Sequence, residues 1–527
     1  MSTSAAHTGT SGSPERGKLD NRWFSGPAIV AYVASVKLIA HLATASVYGF
    51  FIDELYFLAC GQHLAWGYVD MPPLTAFQAW LTRALFGDSA YSIRLFPSLA
   101  AAGLVLLTGT LVRALGGKRF AQFLAALAVL VAPAYLAFDS YLSMNSIEPL
   151  VWMGCALLVI KMIQTGNTRL WLWFGVLAGV GLLNKDTMLM FGFALVAGLL
   201  LTMERRILWN CWIFIGGGIA LLMFLPNFMW MVRHHFPLLE LLANIRRNGR
   251  DVPFGPLQFM GMQILLIHPA SLPIWCAGLW SCFAGRARRY RCLAWTYVIA
   301  LAVLLATRGK VYYLAPAYPM LLAAGAIALE SWSARPRMRT LWAAYCGVLG
   351  ISGAMLAPTI FPILPPQTYL SYTHALGIAQ PRMENRATNA MPQFFADRLG
   401  WPEMVAAVAK VYDSLPPAER ARTAIIGNDF GQCGAVDFYG PKYGLPKSIG
   451  THLTYWYWGP RDYTGEIMIV LGDTIQGASQ WFDSVEEVAE VGHVYAMKQE
   501  HFKILLCRHP KNGTTLKDIW PRVKNFN

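Results

Sequence analysis

The stretch GPAIVAYVASVKLIAHLATASVYGF (26–50) decides the fold of this chain. A membrane-spanning helix needs about 20 mostly apolar residues, and this run supplies them just before Asp53 and Glu54. Of the 527 residues, 55% are apolar and 14% are charged, whereas soluble domains carry about 25% charged residues. The composition therefore excludes a disordered protein, a coiled coil and an ordinary cytosolic enzyme, and it indicates a polytopic α-helical membrane protein.

Ten further apolar runs bring the prediction to about eleven transmembrane helices. They lie at 95–112, 120–138, 146–160, 170–183, 187–203, 208–231, 256–283, 292–307, 311–329 and 341–360. We predict a disordered cytoplasmic tail over 1–25, which is rich in Ser, Thr and Gly, and a transmembrane domain over 26–360. The apolar run within 53–93 is short and contains Arg83, so this segment is predicted to be a long external loop with amphipathic helices in the membrane plane.

The distribution of Lys and Arg predicts the orientation of the chain. With the N-terminus in the cytoplasm, the alternate segments on the cytoplasmic side hold most of these residues, for example Arg286, Arg288, Arg289 and Arg291 between two runs. Cytoplasmic loops of membrane proteins are enriched in this way. The same rule means that the net charge of +14 is no argument for a nucleic-acid partner. An odd number of spans places the C-terminal region outside the cytoplasm.

The C-terminal region has the composition of a soluble domain. After a linker at 361–399, residues 400–527 are predicted to form a small extracytoplasmic α/β domain of three or four strands. Helices are predicted at 403–414 and 484–491, and strands at 423–426, 466–471 and 501–507. The run Tyr455–Trp458 either packs within the domain, rests on the membrane or stacks on a sugar acceptor. A disulfide between Cys433 and Cys507 is left open, and acceptor choice is predicted to reside in this domain.

Two acidic positions follow the first span. Asp53 and Glu54 are either a polar pair at the end of a helix or include a catalytic base for a substrate carried by lipid. A sugar attached to a lipid lies at the depth of the membrane boundary, where such a base could reach it. In the turn WGYVDMPPL (66–74), the two prolines would hold Tyr68 and Asp70 in a rigid, non-helical segment. The alternative is a plain loop before the next helix.

Several motifs resemble those of GT-C fold membrane glycosyltransferases of the family 39 type, which use dolichyl- or polyprenyl-phosphate sugars. The run DELYFLACGQHLAWGYVDMPPLTAF (53–77) is similar to the first external loop of the branch that contains protein O-mannosyltransferases and the lipid A aminoarabinose transferase. LLNKDTM (182–188), LLANIRRNGRDVPFGPLQFMGMQILLIHP (241–269) and RGKVYYLAPAYPMLLAAGA (308–326) follow in the expected order. The resemblance covers roughly 26–360.

The resemblance implies an inverting glycosyltransferase, either hexosyl or pentosyl, in a bacterial cytoplasmic (inner) membrane. Such enzymes pass a sugar from a polyprenyl-phosphate carrier to an acceptor hydroxyl on the extracytoplasmic face. Asp53 matches the proposed general base, and Glu54 is its motif neighbour. The lipid A transferase has a Lys before its two prolines where this chain has Met71, so phosphate binding must move to another residue here.

Six cations on the predicted outer side could balance a departing phosphate. They are Lys185, Arg246, Arg247, Arg250, Arg308 and Lys310, with Tyr312 and Tyr313 following the last of them. Arg is suited to bidentate phosphate contacts, although single members of the set could instead reach toward lipid headgroups. Lys310 and Arg246 are the preferred phosphate ligands, ahead of Lys185 and Arg247.

Asp139 and Glu148 flank a short loop between two spans. They either orient the acceptor or pair with Arg94 or Lys185, since carboxylates at membrane depth are costly unless they are used. His234, His235 and His268 lack the spacing of metal ligands. No cofactor and no metal are therefore predicted, with a divalent ion beside Asp53 or Asp70 as the alternative.

The expected partners are a polyprenyl-phosphate-linked sugar donor, a lipid, glycan or protein acceptor, and membrane lipids, with no nucleic acid. Two other classes stay open: a transporter or flippase for a lipid-linked anionic glycan, and a membrane glycan polymerase or ligase. A flippase would need internal repeats and broken helices, and the sequence contains no convincing repeat.

Overall fold

The computed structural model of the protein describes residues 22–332, 336–379 and 384–527. Nearly all of the predicted disordered tail lies outside these ranges. The first part of the chain is helical throughout, and the last part combines helices with one mixed sheet.

Seventeen α-helices are described between 22 and 360. They are α1 (Gly26–Thr44), α2 (Ile52–Gln62), α3 (Leu74–Phe86), α4 (Ala90–Ile93), α5 (Leu95–Ala114), α6 (Arg119–Val131), α7 (Pro133–Phe138), α8 (Met144–Thr165), α9 (Trp171–Asn184), α10 (Thr187–Leu200), α11 (Cys211–Arg233), α12 (Pro237–Arg247), α13 (Pro256–Leu266), α14 (Leu272–Phe283), α15 (Arg291–Thr307), α16 (Tyr318–Trp332) and α17 (Pro336–Ile360).

Each predicted span contains a helix. Seven helices in the described ranges are long and apolar enough to cross a membrane, and the number rises to eight if α13 and α14, which meet at an angle of 95°, count as one broken span. The three other predicted spans correspond to α6, α9 and α10, which have 13 or 14 residues each. A multi-pass membrane protein is confirmed, and the count of eleven and the orientation stay predictions.

Glycines allow two pairs of these helices to cross in close contact. A methyl group at Gly325 of α16 would overlap the carbonyl of Ile274 on α14, and one at Gly175 of α9 would overlap the carbonyl of Gly216 on α11. Small residues at such crossings let the helix backbones approach, and this contact replaces the hydrophobic drive that is missing between helices in lipid.

The segment predicted as a surface loop folds into α2, α3 and α4. Nine of the eleven residues of α2 are buried, because the C-terminal domain lies against it. Helix α22 (Phe430–Tyr439) makes this contact through two glycines, since a side chain at Gly431 would overlap Ile52 and one at Gly434 would meet the backbone of Leu55. The beginning of α2, with Asp53, is thereby placed at the junction of the two parts of the molecule.

The described part of the C-terminal region, 361–379 and 384–527, contains five strands and eight helices. The strands are β1 (Thr423–Gly427), β2 (Ile449–Gly450), β3 (Ile467–Leu471), β4 (Phe482–Val491) and β5 (Phe502–Pro510). The helices besides α22 are α18 (Pro366–Ala375), α19 (Gln393–Ala396), α20 (Trp401–Ser414), α21 (Pro417–Arg420), α23 (Thr454–Trp458), α24 (Ile475–Ala478) and α25 (Leu516–Ile519). The strand order is β2-β1-β3-β5-β4, with β1 parallel to β2 and β3, and β5 antiparallel to β3 and β4. The predicted small α/β domain is confirmed, but its sheet has five strands and not three or four, because the two-residue β2 also pairs with β1.

One predicted helix, 484–491, is wrong, because these residues belong to β4. Its apolar residues, Val485, Val488, Ala489 and Val491, follow the spacing of a helix. The structure explains the spacing by a register shift between Glu487 and Ala489 in the pairing of β4 with β5. An extra residue at a bulge breaks the two-residue period of a strand and imitates the helical pattern.

The aromatic run at 454–458 forms α23 and packs within the protein. The indole nitrogens of Trp456 and Trp520 each donate to the other residue's carbonyl, at 2.9 and 2.8 Å. Thr454 meets the hydroxyl of Tyr56 on α2 at 2.5 Å, so this short helix also joins the domain to the first loop. Cys433 and Cys507 are both free thiols.

Candidate active site

Asp53 is the member of the acidic pair whose carboxylate the fold leaves available for a ligand. It lies in the first turn of α2, is half-buried, and makes no hydrogen bond or ion pair with any described residue. Burial raises its pKa to about 7, with further upward contributions from Asp70 and Glu384, and Arg250 and Arg386 act in the opposite direction. A carboxylate with a pKa near neutrality is well suited to accept a proton from a reacting hydroxyl.

Glu54, the neighbour of Asp53, is fully buried and fully paired. Its carboxylate forms an ion pair with Arg94 at 2.6 Å and accepts hydrogen bonds from the backbone N–H groups of Phe51, at 2.8 Å, and Leu142, at 2.9 Å. These contacts hold the end of the first span, the start of α2 and the loop before α8 together. The geometry makes Glu54 a structural anchor, and a direct part for it in a reaction stays a prediction.

Asp70 lies close to Asp53, whereas Tyr68 points elsewhere. The Asp70 carboxylate accepts a hydrogen bond from Tyr56 at 2.9 Å. Burial raises its pKa to about 6, although the bond from Tyr56 opposes the shift. The hydroxyl of Tyr68 donates to the carbonyl of Cys60 at 3.1 Å, so this side chain fixes the turn after α2.

A basic cluster, made of Arg250, Lys310 and Arg386 around Glu384, faces Asp53. The three cations lie 3.5, 3.6 and 3.2 Å from the Glu384 carboxylate, and Lys310 is also 3.3 Å from Asp251. Burial alone would raise the pKa of Glu384, but the three cations together lower it to about 2. Three cations against two carboxylates leave an excess of positive charge beside Asp53.

An apolar groove opens beside this cluster. Its volume is about 510 Å³, and Arg308, Lys310 and Glu384 contribute its polar wall. The apolar lining includes Phe254, Phe259, Leu304, Leu305 and Val311, and Tyr312 also faces the groove. A cavity with one charged wall and an otherwise apolar lining suits a molecule with an anionic head and a hydrocarbon tail.

The structure separates the six predicted cations. Lys310 and Arg308 line the groove, and Arg250 joins the basic cluster. Arg246 and Arg247 are exposed on α12 and line neither this groove nor the larger cavity beside the C-terminal sheet. Arg246 as a phosphate ligand stays a prediction. The chain turns at Gly249, where φ is +61°, and beyond this turn Arg250 pairs with Glu384.

Lys185 and the two loop carboxylates form internal ion pairs. Lys185 lies 2.8 Å from Glu148 and 4.3 Å from the ring centroid of Tyr313. Asp139 pairs at 3.2 Å with Lys37 of α1. The predicted pairing of Glu148 with Lys185 is thus present, and Asp139 finds a partner inside the first span that the sequence did not single out.

Sequence reasoning missed four residues of the segment at 361–399. Glu384 and Arg386 belong to the basic cluster. Asp397 accepts the backbone N–H of Ile52 at 3.0 Å through its carbonyl, and burial raises the pKa of its carboxyl group to about 7. Arg398 is 1% exposed. Its guanidinium lies over the rings of Phe51, Tyr141 and Phe394. The available signal was the run ENR (384–386), which places a negative and a positive charge two residues apart in the predicted linker.

Metal binding has no geometric support in the described ranges. No group of three or more His, Cys, Asp or Glu side chains among those residues is arranged to hold an ion. The absence of an obligatory cofactor stays a prediction.

The comparisons with known proteins agree on the fold. Residues 70–230 match the family model described as dolichyl-phosphate-mannose-protein mannosyltransferase, and no curated protein sequence matches the chain. The structure is similar to ArnT from Cupriavidus metallidurans bound to undecaprenyl phosphate, with 15% identity, a TM-score of 0.58, and coverage of 92% of this chain and 98% of that one. The apo state of the same ArnT gives 14% identity, a TM-score of 0.60, and coverage of 93% and 98%.

A more distant likeness is to the Archaeoglobus fulgidus oligosaccharyltransferase tethered with an acceptor peptide. Identity is 10%, the TM-score is 0.50, and 81% of this chain and 64% of that chain are covered. The predicted GT-C fold and the resemblance to membrane glycosyltransferases of this type are therefore confirmed.

Proposed function

We propose that this protein is an inverting glycosyltransferase that moves a sugar from a polyprenyl-phosphate donor to an acceptor hydroxyl on the extracytoplasmic face of a membrane. The observation that carries the proposal is one arrangement. The unpaired carboxylate of Asp53 lies within electrostatic reach of Arg250, Arg386 and Glu384 of the basic cluster, and Lys310 and Glu384 of the same cluster belong to the polar wall of the apolar groove. A base, a site for an anionic leaving group and a site for a lipid tail thus meet at one place.

Asp53 acts as the general base. Its carboxylate takes the proton of the acceptor hydroxyl while the hydroxyl oxygen attacks the anomeric carbon from the face opposite the phosphate. The bond between that carbon and the phosphate oxygen breaks, and the oxygen leaves with the electron pair, so the configuration inverts. Because no described residue donates a hydrogen bond to Asp53, its oxygens are free for the acceptor.

Lys310 binds the leaving phosphate, with Arg250 beside it and Arg308 at the edge of the groove. Fixed cations stabilise the charge that develops on a leaving group without having to reorganise. Lys310 takes over the role implied for the lysine that is absent at Met71, because its ammonium lies at the wall of the groove. The isoprenoid chain then lies along Phe254, Phe259 and Leu304.

Tyr312 lies between the two parts of this site. Its side chain lines the groove and interacts electrostatically with Asp53, Asp251 and Glu384. A phenol in this position is able to donate a hydrogen bond to a sugar or phosphate oxygen. The negative charge of Asp70 helps to raise the pKa of Asp53, which makes Asp53 a stronger base.

The groove supports the donor class, as does likeness to a structure in which undecaprenyl phosphate is bound. We place the enzyme in a bacterial cytoplasmic membrane with its N-terminus in the cytoplasm, so that Asp53 and the C-terminal domain face outward. The acceptor is a lipid, glycan or protein hydroxyl.

The decisive experiment compares D53N with the native protein in lipid nanodiscs, with transfer from a polyprenyl-phosphate sugar as the readout. Loss of the base should lower kcat by roughly 100-fold or more and leave the binding of undecaprenyl phosphate unchanged. The matched control is E466Q, which alters an exposed carboxylate paired with Arg422 at 2.8 Å. Full transfer by a folded D53N protein would refute the proposal.

A further inference from the structure

The basic cluster also borders a second cavity, which is larger than the apolar groove. Its volume is about 700 Å³, within the roughly 300–1,000 Å³ range of small-molecule sites. Arg250 and Arg386 form one wall, and the remaining lining comes mostly from the C-terminal domain. Both arginines are ion-paired with Glu384, which itself lines the groove. The two cavities therefore meet at Glu384.

The position of this cavity follows from the topology of the sheet. β1 is followed by α22 on one face of the sheet, where Cys433 packs with Ile425. β3 is followed by α24 on the opposite face, where Ala478 packs with Met468. The chain therefore leaves two adjacent parallel strands toward opposite faces, which opens a crevice at their carboxyl ends. This is the place where open α/β sheets bind their ligands.

The floor of the crevice consists of the two loops that follow β1 and β3. Asn428 joins them, since its side-chain amide donates to the carbonyl of Gly472 at 3.2 Å. The amide oxygen of Asn428 accepts no hydrogen bond from the described residues. Asp473 follows Gly472 in the second of these loops, and one of its carboxylate oxygens accepts from the N–H of Thr474 at 2.7 Å, which leaves the other oxygen available.

The wall nearest Asp53 offers unused donors. Arg386 pairs with Glu384 through Nε, whereas its two terminal nitrogens make no hydrogen bond within the described ranges. The Arg386 side chain is only 17% exposed, and its charge interacts electrostatically with both Asp53 and Asp429. A ligand hydroxyl that binds Arg386 from the cavity would thus come within the electrostatic reach of the catalytic base.

We propose that this crevice binds the acceptor and that the acceptor is an oligosaccharide. The inference rests on the proposed function and specifies its second substrate. A sugar hydroxyl both donates and accepts hydrogen bonds, so it needs a lining that mixes the two kinds of group. The crevice provides this mixture with amides, carboxylates and cations, namely Asn428, Gln432, Asp473, Gln499, Arg386 and Lys503.

The lining fits the other acceptor classes less well. A lipid chain would need a continuous apolar wall, whereas the large apolar side chains of the described lining, Ile475, Phe502 and Leu505, lie among polar groups. The flat ring of Phe502 suits the apolar face of a pyranose. A peptide would gain from a long unpaired strand edge, whereas β1, β3 and β5 are each paired on both sides and the edge strand β4 contributes Glu487 to the described lining.

The test measures binding to the full chain in nanodiscs by titration calorimetry. The probes are the water-soluble oligosaccharides released by mild acid from the cell envelope of the native host and a Ser/Thr-rich synthetic peptide. N428A/D473A should weaken oligosaccharide binding by about tenfold, because two hydrogen bonds contribute roughly 0.5–1.5 kcal/mol each. E466Q is the control on the same domain and should bind as the native protein does.

The outcomes separate the two proposals. Unchanged binding of undecaprenyl phosphate by N428A/D473A, together with a raised KM for the oligosaccharide, would support the crevice. If neither probe binds, or if N428A/D473A binds the oligosaccharide normally, the acceptor site is elsewhere even when D53N abolishes transfer. Binding of the peptide with the same dependence on Asn428 and Asp473 would overturn the glycan class. Oligosaccharide binding combined with full activity of D53N would instead refute the base and leave the crevice in place.

Discussion

The pH dependence of sugar transfer tests the electrostatics of the site most directly. A general base must be deprotonated to work, and the pKa of Asp53 is about 7. The deprotonated fraction is then about 9% at pH 6 and about 91% at pH 8. We therefore expect kcat/KM to rise about tenfold between these pH values, with the midpoint near the pKa of the free enzyme.

Two variants should move this ratio in opposite directions. E384Q removes a negative charge that raises the pKa of Asp53, so more base is available at pH 6 and the ratio should fall toward one. R386Q removes a positive charge that lowers the same pKa. The ratio should then rise toward its limit of about 100, which applies when the pKa lies well above 8.

The assay is the initial rate of transfer from a polyprenyl-phosphate sugar at subsaturating substrate, measured at pH 6 and pH 8 in nanodiscs. E466Q, on an exposed pair, should keep the native ratio. Ratios that stay equal in all variants, or that move the same way in E384Q and R386Q, would refute the assignment of the acid limb to Asp53.

Two further predictions concern stability. E54Q leaves Arg94 buried without its counter-charge, since the side chains of the pair are 0% and 1% exposed, and it should lower the free energy of unfolding by roughly 3–5 kcal/mol. The control D88N, on an exposed pair, should cost at most about 1 kcal/mol. Equal melting temperatures of the two variants in detergent would contradict this prediction. G325A places a methyl group against a backbone carbonyl at the crossing of α14 and α16 and should cost about 1–3 kcal/mol. G347A, which meets no atom within 4 Å, should leave the melting temperature unchanged or raise it slightly, because Ala favours a helix more than Gly does; an equal loss in both variants would show that the crossing is not close-packed.

The membrane part of the fold could be predicted because its signal is local. A run of apolar residues long enough to cross a bilayer has few alternatives, since an unpaired backbone in lipid is too costly. The helical segments at 95–112 and 146–160 could therefore be predicted from their own residues alone. The helix predicted at 484–491 failed because a single bulge, which depends on pairing with β5, changes the spacing of its apolar residues.

The candidate site was predicted in part. Asp53 and Lys310 could be singled out because they lie beside apolar runs, where a charged side chain is costly unless it has a function or a partner. Arg246 and Arg250 have the same local context, and the turn at Gly249 decides which of them reaches the basic cluster. Glu384 and Arg386 gave little signal because nothing near them in the sequence is apolar enough to mark a boundary.

The amino-acid sequence by itself determined that the chain crosses a membrane several times, where the spans begin, and that an acidic pair follows the first of them. The tertiary structure decided which member of that pair is free. Glu54 forms an ion pair with Arg94, whereas Asp53 interacts electrostatically with Glu384 and Arg386. These partners come from distant segments of the chain. The physical reason is that hydrophobic length is a property of one segment, whereas the charge state of a buried carboxylate depends on every group that folding brings within a few ångströms of it.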